Sequence, residues 1–296
     1  MASTSGIGIF AEPKTSAAIG EADSPRSMLA RVRANRLSRP SAKTADSEFA
    51  PPIPTVSAAS TRQSAQMPAF APLLEELEVA GWSSHRRMLS GNFHDWLLLE
   101  DRMLLVMASQ TVATEANEAI DPTEMALVAQ GAWASIRSHA HHSRDAGTLL
   151  SLAGSSFWSN VGAELQAAVA VALVDLDGGH ASVAMAGDCL ALRIRAAGAE
   201  QIATRQPMLG ADPHFSYLSH SVQLSLRERI VLMADEPLKR PAKMMSRIAN
   251  SFSQLDAETH RRMLAADAIA VVRENYEPQN NECNRTAASI VAVRRR

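Results

Sequence analysis

The sequence predicts an α+β chain built in layers, and two observations carry this. The elements are segregated: strands, two helices, strands, two helices, then a strand, in place of alternating βαβ units. In addition, the run Leu165 to Leu176 is apolar on both faces. Leu165, Val169, Val171 and Leu173 point one way; Gln166, Ala168, Ala170, Ala172 and Val174 point the other. A strand with one bulky and one small apolar face suits a sheet covered by a second sheet on one side and a closely packed helix on the other.

Taken in order, the elements begin after residue 68. Residues 1–68 are rich in Ser, Ala, Pro and Thr and show no sustained apolar period. Such a segment cannot bury enough surface to offset its chain entropy, so a disordered tail is expected, followed by one domain over 69–296. Within the tail, Arg26, Arg31, Arg33, Arg36, Arg39 and Lys43 form a basic patch that could dock an acidic partner or anionic lipid. Leu77–Trp82 alternates weakly and predicts a first strand. Leu97–Leu99, a turn at Glu100–Arg102 and Met103–Ala108 predict a hairpin.

Asp121-Pro122-Thr123-Glu124 is a helix start, with an N-cap Asp, Pro at the first helical position and Glu at N3. Met125, Val128, Ala129, Ala132, Trp133 and Ile136 follow at helical spacing. A second helix is predicted from Asp145 to about Ser159, burying Leu149, Leu152 and Phe157. After the central strand, Asp177-Gly178-Gly179 is a turn. His180–Ala186 and Leu190–Arg195 continue as strands. Val222, Leu224 and Leu226 alternate, Arg227–Arg229 turns, and Ile230–Ala234 is a further strand. Helices over 242–252 and 256–272, a polar loop over 274–285 and a strand over 289–293 complete the chain.

Composition excludes several function classes. A net charge of −2 predicts neither nucleic-acid nor membrane binding. Cys189 and Cys283 form no metal-spaced cluster and no disulfide framework, which suits a reducing cytoplasm. No basic segment followed by an apolar one opens the chain, so a signal peptide is not expected. The longest apolar run, Ala167–Val174, falls far short of the ~20 residues a transmembrane helix needs. A soluble cytoplasmic protein is therefore expected.

A series of short motifs then carries a resemblance. Gly91-Asn92-Phe93-His94-Asp95-Trp96 is followed by the apolar strand Leu105–Ser109 and by Val174-Asp175-Leu176-Asp177-Gly178-Gly179. Ala186-Gly187-Asp188, Pro207-Met208-Leu209-Gly210, Val231–Glu236 and Ser289–Arg294 come next. In this order they resemble the SpoIIE-like branch of the PPM-type metal-dependent serine/threonine phosphatases, over about residues 75–295. The resemblance implies two stacked antiparallel sheets flanked by helices in an α/β/β/α order. It also implies two Mg²⁺ or Mn²⁺ ions held by four acidic positions at strand ends. Such hard cations need carboxylate oxygens, and they lower the pKa of the water that attacks phosphorus.

The four implied positions fall on Asn92, on Ser109, on Asp235 and near Thr286–Ala287. Only Asp235 is acidic, and its neighbour is Glu236 where the family has Gly. Glu282, Asp188 and Glu236 are possible substitutes. Losing about three carboxylates should weaken such a site severely, since affinity follows ligand charge count. The resemblance thus implies a metal-poor pseudophosphatase that binds a phosphoprotein or partner-switching regulator. An active Mg/Mn-dependent phosphatase with an unusual ligand set, and a structural interaction module, stand as alternatives.

Asp95 is expected to have a structural hydrogen-bonding role, Asp188 to stabilise a turn, and Gly91, Gly187 and Gly210 to serve tight turns. His139 and His142 share a helix face but lack the converging partners of a zinc site, so they predict a polar helix end.

Overall fold

The fold was obtained as a computed structural model, which describes residue 68 and residues 71–83, 91–113, 122–161, 165–235, 241–276 and 288–296. The expected tail, with its basic patch, lies outside the described residues apart from Pro68.

Among the described residues, ten strands and five helices follow one another. β1 (Leu77–Ser83), β2 (Asn92–Leu98) and β3 (Met103–Ala113) precede α1 (Pro122–Ala140) and α2 (Ala146–Val161). Then come β4 (Leu165–Asp175), β5 (His180–Ala186), β6 (Cys189–Arg195), β7 (Gly198–Gln201), β8 (His220–Gln223) and β9 (Arg229–Asp235). α3 (Pro241–Ser253), α4 (Ala257–Arg262), α5 (Ala265–Tyr276) and β10 (Ala288–Arg295) complete the described chain.

The strands form two five-stranded sheets, β1-β10-β9-β6-β7 and β2-β3-β4-β5-β8. Every pairing is antiparallel. The small face of β4 (Ala168, Ala170, Ala172, Val174) meets Leu232, Ala234, Val291 and Val293 of the other sheet. Its bulky face (Leu165, Val169, Val171, Leu173) packs against Val128, Ile136, Leu149 and Phe157 of α1 and α2. The outer face of the first sheet is covered by Met244, Ile248 and Phe252 of α3 and Ala268, Ile269 and Val272 of α5. The two-faced β4 therefore sits at the centre of an α/β/β/α arrangement, as its sequence predicts. Each fully buried Leu, Val or Phe contributes about 1.5–3 kcal/mol to these layers.

Three expectations are corrected. Leu152 is 40% exposed. The buried stripe of α2 runs through Leu149, Leu150, Ala153 and Phe157, and at about 100° per residue Leu152 lies on the far side of the helix. Leu226 is exposed too, because β8 and β9 belong to different sheets and the chain turns between them with Arg227 at φ 69°.

The helix expected over 256–272 is divided into α4 and α5. Asp256 caps α4, accepting from Glu258 N and Thr259 N. The fully buried Arg229 then donates through Nη2 to the carbonyls of His260 (2.7 Å) and Met263. Met263 turns extended at ψ 124°, and Asp267 accepts from Leu264 N (2.8 Å) to start α5. Burial pulls the Arg229 pKa down to about 10, against the pull of Glu78 and Asp267.

Candidate functional site

Strand register brings Asn92, Ser289 and the Gly187–Asp188 turn to one end of the sandwich, whereas the Val174–Gly179 motif lies at the other. In the first sheet Ser83 pairs with Ser289, Ser289 with Ala234, and Ala234 with Cys189, making a single row across four strands. In the second sheet Asn92 pairs with Gln110, and Gln110 with Ala168. The turn Gly187–Asp188 joins β5 to β6 at this same end.

The two rows are stitched together. Ser83 Oγ lies 2.7 Å from His94 Nδ1 and 2.9 Å from Ser289 Oγ. Gly81 makes room for this seam, since a Cβ there would come within 2.5 Å of His94 Nε2 and 2.8 Å of the Trp96 ring. Asn92, Gln110, His94 and Ser289 are all buried.

Directly opposed residues in an antiparallel pair share a face, and faces alternate along a strand. Gln110 therefore shares the face of Asn92, with Leu104, Val106 and Ala108. Ser109 lies opposite Phe93, on the helix-facing side with Leu105 and Met107. Sequence reasoning missed Gln110. The register of the β2–β3 hairpin would have found it, because Leu98 opposite Leu104 fixes every later pair. Ser109 Oγ and Gln110 Oε1 are buried with no hydrogen-bond partner among the described residues.

Asp95 faces α1, as its alternation with Asn92 and His94 requires. It accepts hydrogen bonds from Trp133 Nε1 (2.7 Å) and Arg137 Nη1 (2.5 Å), and Arg137 lies over the Trp133 ring. This clasp fixes β2 to α1. Asp188 pairs with Arg205, Oδ1 to Nε 2.7 Å.

Asp235 is the last residue of β9, opposite Ala288 in β10; its side chain, Glu236, Glu282 and the Thr286–Ala287 stretch lie outside the described residues. Gly187 (φ 75°) and Gly210 (φ 86°) adopt left-handed turn backbone, whereas Gly91 does not. What Gly91 provides is close approach, for a Cβ there would sit 2.7 Å from Thr111 Cβ. Near Gly210, the Tyr217 hydroxyl donates to Met208 O (2.9 Å), and burial raises its pKa. The His139–His142 turn contributes one side-chain contact, His139 Nε2 to Ser156 Oγ at 2.7 Å.

Among the described residues, the donors in the two rows are amide, hydroxyl and imidazole groups, and the one carboxylate beside them, that of Asp188, is engaged by Arg205. Hard divalent ions are held by several carboxylate oxygens, and neither Asn92 nor Gln110 supplies one. Among the described residues, no group of three or more His, Cys, Asp or Glu side chains is placed to hold a metal ion. The described residues do not fit a pair of Mg²⁺ or Mn²⁺ ions. Nor is any helix among them long and apolar enough to cross a membrane.

Residues 123–274 match the family model of stage II sporulation protein E, SpoIIE. The chain belongs to the SpoIIE family. The match spans α1 to α5, leaving the strands that carry Asn92, Gln110 and Ser289 outside it.

Solved structures show the same fold. The SiaA-PP2C domain of Pseudomonas aeruginosa superposes with a TM-score of 0.61 at 17% identity, over 81% of this chain and 95% of that one. The SpoIIE phosphatase domain of Bacillus subtilis, solved with a fragment of its regulatory domain, gives 0.57 at 12%, over 74% and 63%. The RsbU and RsbW domains of Rv1364c from Mycobacterium tuberculosis give 0.55 at 16%. That match covers 76% of this chain and 61% of theirs, so this SpoIIE-family chain spans under two thirds of that protein. No curated protein matches the sequence.

Proposed function

We propose that this chain is a regulatory, cytoplasmic member of the SpoIIE family that has lost metal-dependent turnover and binds a phosphoprotein or partner-switching component without dephosphorylating it. Residues 69–296 form the phosphatase-like domain, and the tail over 1–68 offers its basic patch to an acidic partner. The observation that carries this reading is the pairing of Asn92 with Gln110. Asn92 stands where the family resemblance places a metal-binding acid, and the residue opposite it is a second buried, uncharged amide; Ser109, the other position the resemblance implies on this hairpin, is uncharged too. With three of the four implied acids missing, too few carboxylates remain to hold the divalent ions that would make hydroxide near neutral pH and neutralise a transferring phosphoryl group.

Calorimetry with Mn²⁺ and a phosphopeptide turnover assay test the proposal. The expected result is no saturable Mn²⁺ binding in the micromolar range and no metal-dependent turnover. Robust Mn²⁺-dependent turnover that disappears in Asp235→Ala would refute it and establish an active enzyme with an unusual ligand set.

A further inference from the structure

We infer that Arg205, aligned by Asp188, is a phosphoryl-recognising residue that works without a metal ion. The inference rests on the phosphoprotein-binding reading above and names the chemistry by which that binding occurs.

Arg205 is placed by a pinned segment. Gln206 Nε2 donates to Leu218 O (2.9 Å), and Leu218 N donates back to Gln206 Oε1 (2.7 Å). Gly187 N donates to the carbonyls of Gln206 (2.9 Å) and Pro207 (3.1 Å), which fastens the segment onto the β5–β6 turn. Asp188, the next residue, takes the Arg205 Nε at 2.7 Å. The Asp188 side chain is only 15% exposed, whereas that of Arg205 is 70% exposed. A guanidinium anchored at Nε from a rigid segment is oriented while it still faces solvent. Its planar fork matches two oxygens of a phosphoryl group.

The anchor stands at the functional end of the sandwich. Asp188 directly precedes Cys189, whose partner Ala234 lies in the row with Ser289 and Ser83. Charge explains why this end suits an anion. A cluster of metal-free carboxylates would repel a phosphoryl dianion. The buried pair Asn92 and Gln110 does not, being uncharged. Asn92 and Gln110 thus add no repulsion, and Arg205, whose Nε is held by Asp188, presents the rest of its guanidinium to solvent at the same end.

The test uses the full chain in EDTA, with O-phosphoserine, serine and inorganic phosphate as probes, followed by calorimetry and ³¹P line broadening. O-phosphoserine should bind without metal, and more tightly than serine or inorganic phosphate. Arg205→Ala should weaken that binding by about tenfold to a hundredfold, the loss expected for a charge-assisted fork. Arg205→Lys should recover only part of it. Unchanged thermal melts will show that both exposed-site variants fold.

Phosphoserine binding that is equal in wild type and Arg205→Ala would overturn the inference and leave phosphoprotein binding standing. Binding seen only with added Mn²⁺ would overturn metal independence. Preference for inorganic phosphate would mark a free-anion site instead, and absence of any phosphoserine binding would overturn phosphoryl recognition at this end altogether.

Discussion

Asn92→Asp exchanges one amide nitrogen for oxygen at a position 1% exposed. Shape is preserved and only the electrostatics change. On the proposed reading no cation is bound beside this buried position, so the folded state keeps the new carboxyl protonated, whereas the unfolded chain releases the proton above its ordinary pKa of about 3.9. The folded pKa is raised, so stability is lost as pH rises through the window between the two pKa values. At 1.36 kcal/mol per pH unit, the penalty is about 1.5 kcal/mol near pH 5 and reaches about 4 kcal/mol near pH 7 if the group stays neutral throughout.

Urea unfolding followed by tryptophan fluorescence, in EDTA across this pH range, measures the difference directly. The expected outcome is a stability gap between variant and wild type that widens with pH. A variant as stable as wild type at every pH would refute the reasoning. It would mean that this end of the sandwich already accommodates a carboxylate, through water or an unrecognised positive partner.

Two further outcomes follow from side-chain contacts elsewhere. Asp95→Asn should lower stability by about 2 kcal/mol, because it removes the charge from a half-buried ion pair with Arg137 and weakens the bond from Trp133; thermal or urea unfolding reads the loss. Burial pushes the Asp145 carboxyl up, but hydrogen bonds from Ser219, Thr148 and Ser182 outweigh it and hold its pKa below the usual 3.8. Its contribution is therefore present above that value and lost as pH falls through the depressed one, so Asp145→Asn should flatten the acid limb of the stability profile measured by urea unfolding.

The layered plan was legible because it depends on local pattern. The two faces of Leu165–Asp175 fix the central strand, and Pro122 marks the first residue of α1. What escaped depends on partners distant in sequence. The break between α4 and α5 is set by Arg229, which lies 31 residues before His260. The seam at Ser83 joins residues 11 and 206 positions away. Gln110 was missed for a different reason. Aligning a motif by its strand end leaves a one-residue ambiguity, and in a strand one residue is the difference between two faces. Ser109 and Gln110 are neighbours in sequence, yet only Gln110 looks toward Asn92.

The seam of Ser83, His94 and Ser289 has a consequence for how the protein persists in a cell. A fold whose sheets are clamped by bound ions gains stability in proportion to the logarithm of ion supply, and weakens when that supply falls. Here the same end is closed by hydroxyl and imidazole groups that the chain carries itself. On the proposed loss of metal binding, its folded population should be indifferent to swings in divalent-ion concentration. Chelation that softens an ion-clamped relative should leave this sandwich at full strength.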